Sequence, residues 1–172
     1  SDYNLSARSF KLAPGKYYFT ILVEDLDSRK EYRAEAEVPV RTFDQELAIS
    51  DIMLISTKTT SESGTVKIVP NLSRNVAAQK GGIPIFFEVY SSAERELELT
   101  YTIVDTKNNP LFTDKKIEKL KMGNTQLFYT FDFKDAGMGE YRMVISAPFV
   151  DDKTVVVSTK SFFSRWSGMP ST

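Results

Sequence analysis

Apolar and polar residues alternate with a period of two along much of the chain, a pattern that predicts strands rather than helices. Tyr17, Phe19, Ile21 and Val23 share one face of an extended segment, with Lys16, Thr20 and Glu24 on the other. The pattern returns 124 residues later (139 minus 15), where Tyr141, Met143 and Ile145 alternate with Arg142 and Ser146. In both copies a Gly stands two residues ahead of the Tyr (Gly15, Gly139), and an acidic turn leads into a second apolar run. No 15-residue window shows a convincing helical period.

In chain order the predicted strands are Tyr3 to Phe10, Lys16 to Glu24, and Tyr32 to Phe43, where Pro39 suits an edge position or a bulge. Ala48 to Ser56, Val66 to Val69, Ile83 to Tyr90, Leu97 to Val104, Leu111 to Ile117, Gln126 to Phe133 and the hairpin 139–163 follow. Between them lie a polar loop from Lys58 to Gly64, an irregular stretch closing with Gly81-Gly82, and a basic loop after Ile117. Turn signals at roughly ten-residue spacing are the pattern of a sandwich. A Tyr at the start of a late strand, after a Gly-rich turn, suits the tyrosine corner of immunoglobulin-like domains. The expected fold is therefore all-β: one complete immunoglobulin-like β-sandwich, preceded by the last three strands of a second similar domain. Three strands cannot enclose a sandwich core. Residues 1–46 are thus read as the C-terminal strands of a truncated domain plus a linker, 47–165 as the complete sandwich, and 166–172 as a tail leading to a further domain.

Composition fits this picture and narrows the chemistry. The 172 residues are 41% hydrophobic with 12 Phe and 8 Tyr, enough for a β-rich core. With 22 basic against 23 acidic residues, no net field draws nucleic acid or anionic lipid. No apolar run reaches the 18 residues that would mark a membrane-spanning helix. Zero His and zero Cys remove the ordinary serine or cysteine triads, an imidazole base and thiolate or imidazole zinc sites. No pair of carboxylates stands out from the 23 as a catalytic couple. The chain is read as not an enzyme, and no cofactor is expected. Asp25 with Asp27, and Asp151 with Asp152, offer oxygens to calcium, but Asp also favours turns by bonding its own backbone. Lys115, Lys116, Lys119 and Lys121 read as a solvated basic face.

One ordered set of short motifs carries a family resemblance. Leu12-x-Pro14-Gly15-x-Tyr17, Ala48-Ile49-Ser50-Asp51-Ile52, Val69-Pro70-Asn71-x-x-Arg74, Phe86-Phe87-Glu88-Val89-Tyr90, Gly139-x-Tyr141 and Phe163-x-x-Trp166 together resemble the region preceding the GWxTD domain of bacterial GWxTD domain-containing proteins. The Gly-Trp-x-Thr-Asp segment itself is absent. The resemblance implies an exported, periplasmic or cell-envelope location and no particular activity.

The functional expectation is a non-catalytic interaction or scaffold module contacting an unidentified protein partner. Its expected surface is Phe86 or Phe87, which point to opposite faces of one strand, with Tyr90 and the Gly81-Gly82 loop. Trp166 reads as an anchor of the interdomain segment. The alternative is a carbohydrate-binding module using exposed, coplanar rings such as Tyr18, Tyr129 or Trp166. The N-terminal strands must borrow a sheet, from the second domain or from another copy in a dimer.

Overall fold

A computed structural model describes residues 8, 10–62, 64, 66–79, 81–133, 137–148 and 155–164, the last without the side chains of Val155 and Val156. The chain forms two compact units, Ser1–Asp44 and Gln45–Thr172. Among the described residues every regular element is a strand.

In the first unit β1 (Gly15–Glu24) and β2 (Glu31–Val40) form an antiparallel two-stranded sheet, with Gly15 opposite Val40 and Glu24 opposite Glu31. Directly opposed residues share a face. Tyr17, Phe19, Ile21 and Val23 therefore lie with Val38, Ala36, Ala34 and Tyr32 on an all-apolar face. The opposite face carries Lys16, Tyr18, Thr20, Leu22, Glu24, Glu37, Glu35 and Arg33 and is tied by the Lys16–Glu37 and Arg33–Glu35 ion pairs. Asp25 organises the turn. Its Oδ1 accepts from the Asp27 and Ser28 amides and its Oδ2 from the Ser28 hydroxyl. Apart from Arg8 and Phe10, the expected strand Tyr3 to Phe10 lies outside the described residues.

The second unit is a β-sandwich. One sheet comprises β3 (Leu47–Ile49), β4 (Met53–Thr60), β5 (Val66–Pro70), β6 (Ile83–Ser91) and β9 (Gly123–Phe131). The other runs in the order β11 (Val155–Ser164), β10 (Gly139–Pro148), β7 (Arg95–Val104), β8 (Pro110–Leu120). Strand β6 is central, paired with β9 along its whole length on one side and with β3 and then β4 on the other. Between the sheets, Leu47, Leu54, Ile85, Phe87, Val89 and Phe131 meet Leu99, Tyr101, Ile103, Met143, Ile145 and Phe162, all buried. Burying side chains of this size is the main stabilising term, about 1.5–3 kcal/mol each.

Three expectations are corrected. The single strand Ala48 to Ser56 is two strands, because at Ser50 the side chain takes over a rung of the ladder. Its Oγ accepts from the Glu88 amide at 2.8 Å, while its own amide donates to the Glu88 carbonyl at 2.9 Å. Lys58 to Thr60 is strand rather than loop, since Thr57–Thr60 pair with Val66–Val69 and exposed β-branched residues suit such a hairpin. The basic loop shrinks to Lys121–Met122 because β8 continues to Leu120. Lys115 and Lys119 pair with the carboxylates of Glu98 and Glu96 on the neighbouring β7, and Lys116 pairs with Glu118 on its own strand. From β8 the chain passes to the other sheet within those two residues, a change of direction that uses Gly123 at φ 88°.

The two hairpins match strand for strand. At a constant offset of 124 residues, β1 corresponds to β10 and β2 to β11, with Tyr17 opposite Val38 and Tyr141 opposite Phe162. The Tyr17 hydroxyl donates to the Ala13 carbonyl at 2.9 Å, and the Tyr141 hydroxyl to the Gly137 carbonyl at 2.7 Å. Each ring lies over the Gly two residues before it, where an added Cβ would come within 3.5 Å. Tyr141 also stacks on Phe162 with ring centroids 5.5 Å apart. Replacing Tyr141 by Phe keeps the stack and deletes the hydroxyl bond. It should cost about 1 kcal/mol, read as a lower urea midpoint with unchanged slope; an unchanged midpoint would show that the bond contributes nothing to folding.

Candidate functional site

The two-residue period of β6 divides the expected surface residues. Phe87 is fully buried, with its ring edge-on to Tyr101 at 6.2 Å. Phe86 therefore is the one of the pair that faces outward, followed on the same face by Glu88 and Tyr90. The register with β9 sets Phe128 opposite Phe86, Gln126 opposite Glu88 and Asn124 opposite Tyr90. The Phe86 and Phe128 rings sit 5.1 Å apart at a tilt of 50°, and the Lys58 ammonium lies 4.0 Å over the Phe128 ring.

The polar half of this strip is a hydrogen-bond set centred on Glu88. Its Oε2 accepts from the Tyr90 hydroxyl at 2.7 Å, and its Oε1 from Asn124 Nδ2 at 2.9 Å and Gln126 Nε2 at 3.2 Å. Burial pushes the Glu88 pKa up, but the bonds from Asn124, Tyr90 and Gln126 outweigh it, so the net shift is downward. Burial, the bond to Glu88 and its negative charge raise the Tyr90 phenol to about 12. Glu88 is held ionised and Tyr90 neutral. The strip combines two aromatic rings, a cation and a fixed carboxylate on one sheet face.

Gly81 is exposed, and Gly82 is buried for a structural reason. At φ 95° an added Cβ would meet the Phe131 carbonyl oxygen at 2.4 Å. The Gly81-Gly82 pair sits where β6 begins beside the end of β9, next to the strip's Phe86 end. Trp166, Asp151 and Asp152 lie outside the described residues. Of the other rings considered for sugar, Tyr18 is exposed on the first unit. Tyr129 stacks on Tyr101 at 3.8 Å, which engages one face of its ring, and its hydroxyl donates to Asp114.

The second unit also holds a recess that the sequence pattern does not reveal. At the end of the sandwich that holds the Tyr141 corner, a cleft of about 330 Å³ is lined by Arg74, Asp105, Asn108, Glu140, Arg142 and Phe163, among others. The segment 71–79 is docked there by Phe163, whose amide donates to the Arg74 carbonyl and whose carbonyl accepts from the Val76 amide, both at 3.0 Å. Arg142 donates to the side chain of Asn108. Asp105 is held below the usual carboxylate range, mainly by its bonds from the side chain and amide of Asn109. These residues are scattered over almost 90 positions (163 minus 74), and only the left-handed backbone of Arg74 and Asn108 sets them apart locally.

Among the described residues no three Asp or Glu carboxylates gather as a metal site, and no helix is long and apolar enough to cross a membrane. No known family profile matches the chain, and no curated protein matches it.

Two outcomes test the strip. Gly82→Ala should destabilise by on the order of 2 kcal/mol or more through strain and the carbonyl clash, seen as a lower thermal midpoint; near-neutral behaviour would show that the segment relaxes freely. For Tyr90, a folded pKa above the unfolded one means that the unfolded chain ionises first. Its contribution is complete below pH 10 and is lost as pH rises from about 10 through about 12. Tyr90→Phe should therefore make the alkaline loss of stability shallower in urea titrations; an identical slope would rule the Glu88 bond out as its cause.

Proposed function

We propose that the chain is a non-catalytic interaction module, immunoglobulin-like in fold, that holds a protein partner on the outer face of the β6–β9 sheet. The observation that carries this is the strip Phe86–Phe128–Lys58 beside the Glu88 cluster. Aromatic anchors next to a directed charge are the usual makings of a protein contact. The rings tilt against each other by 50°, a shape that favours interdigitating side chains over a flat sugar ring. The carboxylates in the strip and the cleft with shifted pKa values, Glu88 and Asp105, are held ionised by donors, which suits binding better than proton transfer near neutral pH. The likeness of the motif series to the region ahead of the GWxTD domain supports an envelope location and a place in a larger protein.

Carrying a photo-reactive phenylalanine analogue at position 86 tests the reading in the native envelope, with the analogue at Leu111 as control. A discrete protein adduct should form from position 86 only. It should fall at least about ten-fold with Phe128→Ala plus Lys58→Glu, two anchor losses of the usual size. Equal labelling from both positions, or retention on envelope polysaccharide with no protein adduct, would overturn the protein reading, and the second result would favour carbohydrate binding.

A further inference from the structure

The two matched hairpins differ in one respect. In β10 the inward residues Met143, Ile145 and Ala147 are fully buried. Their counterparts in β1 are Phe19, Ile21 and Val23, and Ile21 and Val23 are 59% and 55% exposed; Tyr32 opposite Val23 and Val38 opposite Tyr17 on the same face are also exposed. The far edge of β10 pairs with β7 from Arg142 to Ser146. The same edge of β1 carries no strand among the described residues. A lone two-stranded hairpin is marginal in water, and an apolar face next to an open edge invites a sheet partner.

We propose that this face is the closing wall of a second sandwich, whose other strands are supplied in cis by polypeptide N-terminal to Ser1. The internal repeat supports such a wall whether or not the β6–β9 strip holds a partner. In the second unit the same hairpin, in the same register and with the same tyrosine bond, is covered by the β3–β6–β9 sheet and flanked by β7. A second copy of this chain meets only half of the requirement. Stacking two hairpin faces, each about 10 Å wide and 33 Å long, buries about two-fifths of the roughly 800 Å² per partner typical of a stable interface. It also leaves both edges open. Pairing β1 with β1 of another copy closes the edges but joins two bare apolar faces into a larger one.

The repeat also fixes how much chain is required. The covering strands of the complete sandwich begin at Leu47, 92 residues before Gly139 (139 minus 47). The same spacing counted back from Gly15 starts roughly 78 residues ahead of Ser1.

The test compares hydrogen exchange in residues 1–172 with that in the same chain extended through its upstream coding sequence. An in-frame segment of at least about 78 residues with period-two alternation is expected. Its inclusion should slow exchange of the β1 amides from Tyr17 to Val23 by on the order of a hundred-fold, with the protein monomeric and exchange across 47–164 unchanged. In the extended chain Ile21→Asp should abolish that protection and leave 47–164 as it was. The proposal fails if no such segment is encoded, if the extension leaves β1 exchange untouched, or if residues 1–172 alone form a stable dimer that protects β1.

Discussion

Strand β6 runs through the middle of its sheet, and its nine residues alternate between buried and half-buried without a break. That period is the constraint on which the sandwich depends. Ile83, Ile85, Phe87 and Val89 turn inward and form the floor on which β7 and β10 lay Tyr101, Ile103, Met143 and Ile145. A slip of one residue would exchange Phe87 for Phe86 and Val89 for Tyr90, placing the Glu88 carboxylate in the core. Pairing along the full length of β9 prevents the slip on one side. On the other, Ser50 holds Glu88 by both its amide and its carbonyl. Ser50 also ties the sheets together, because its carbonyl accepts from the Ser158 hydroxyl of β11 at 2.7 Å.

The same period creates the outer strip as a by-product. Once Phe87 is inward, Phe86, Glu88 and Tyr90 are outward, and β9 must bring Phe128, Gln126 and Asn124 beside them. The polar residues of the strip satisfy one another, so the carboxylate is fixed before any partner arrives. Such preorganisation lowers the ordering cost of binding. A structural rule for one face thus supplies a prepared surface on the other.

What could be read from the sequence follows from how local each signal is. The Gly-x-Tyr repeat was legible because the tyrosine bond spans four residues and the strand alternation two, so both copies carry it intact. The opposite faces of Phe86 and Phe87 were legible for the same reason. Which of the two faced outward was not, because that depends on the sheet β6 packs against. The break at Ser50 depends on Glu88, 38 residues away, and local pattern could not reveal it. Of the basic cluster, Lys119 reads as loop because charge suggests solvent. The extension of β8 to Leu120 becomes visible only when Glu96 is set across from Lys119 on β7. The polar cleft joins residues from four separate segments and has no local signature beyond two left-handed residues.

The paired hairpins separate what a sequence determines locally from what its surroundings must provide. Residues 15–40 and 139–164 build the same register, the same strand lengths and the same hydroxyl bond from largely different side chains. Local chemistry is therefore sufficient to specify the hairpin's geometry. It is not sufficient to bury it. Ile145 is buried because β6 and β7 lie against it, whereas Ile21, with the same side chain at the same place in the same hairpin, is more than half exposed. The difference lies in the partner sheet: β10 has one against its inner face, and among the described residues β1 pairs with β2 alone.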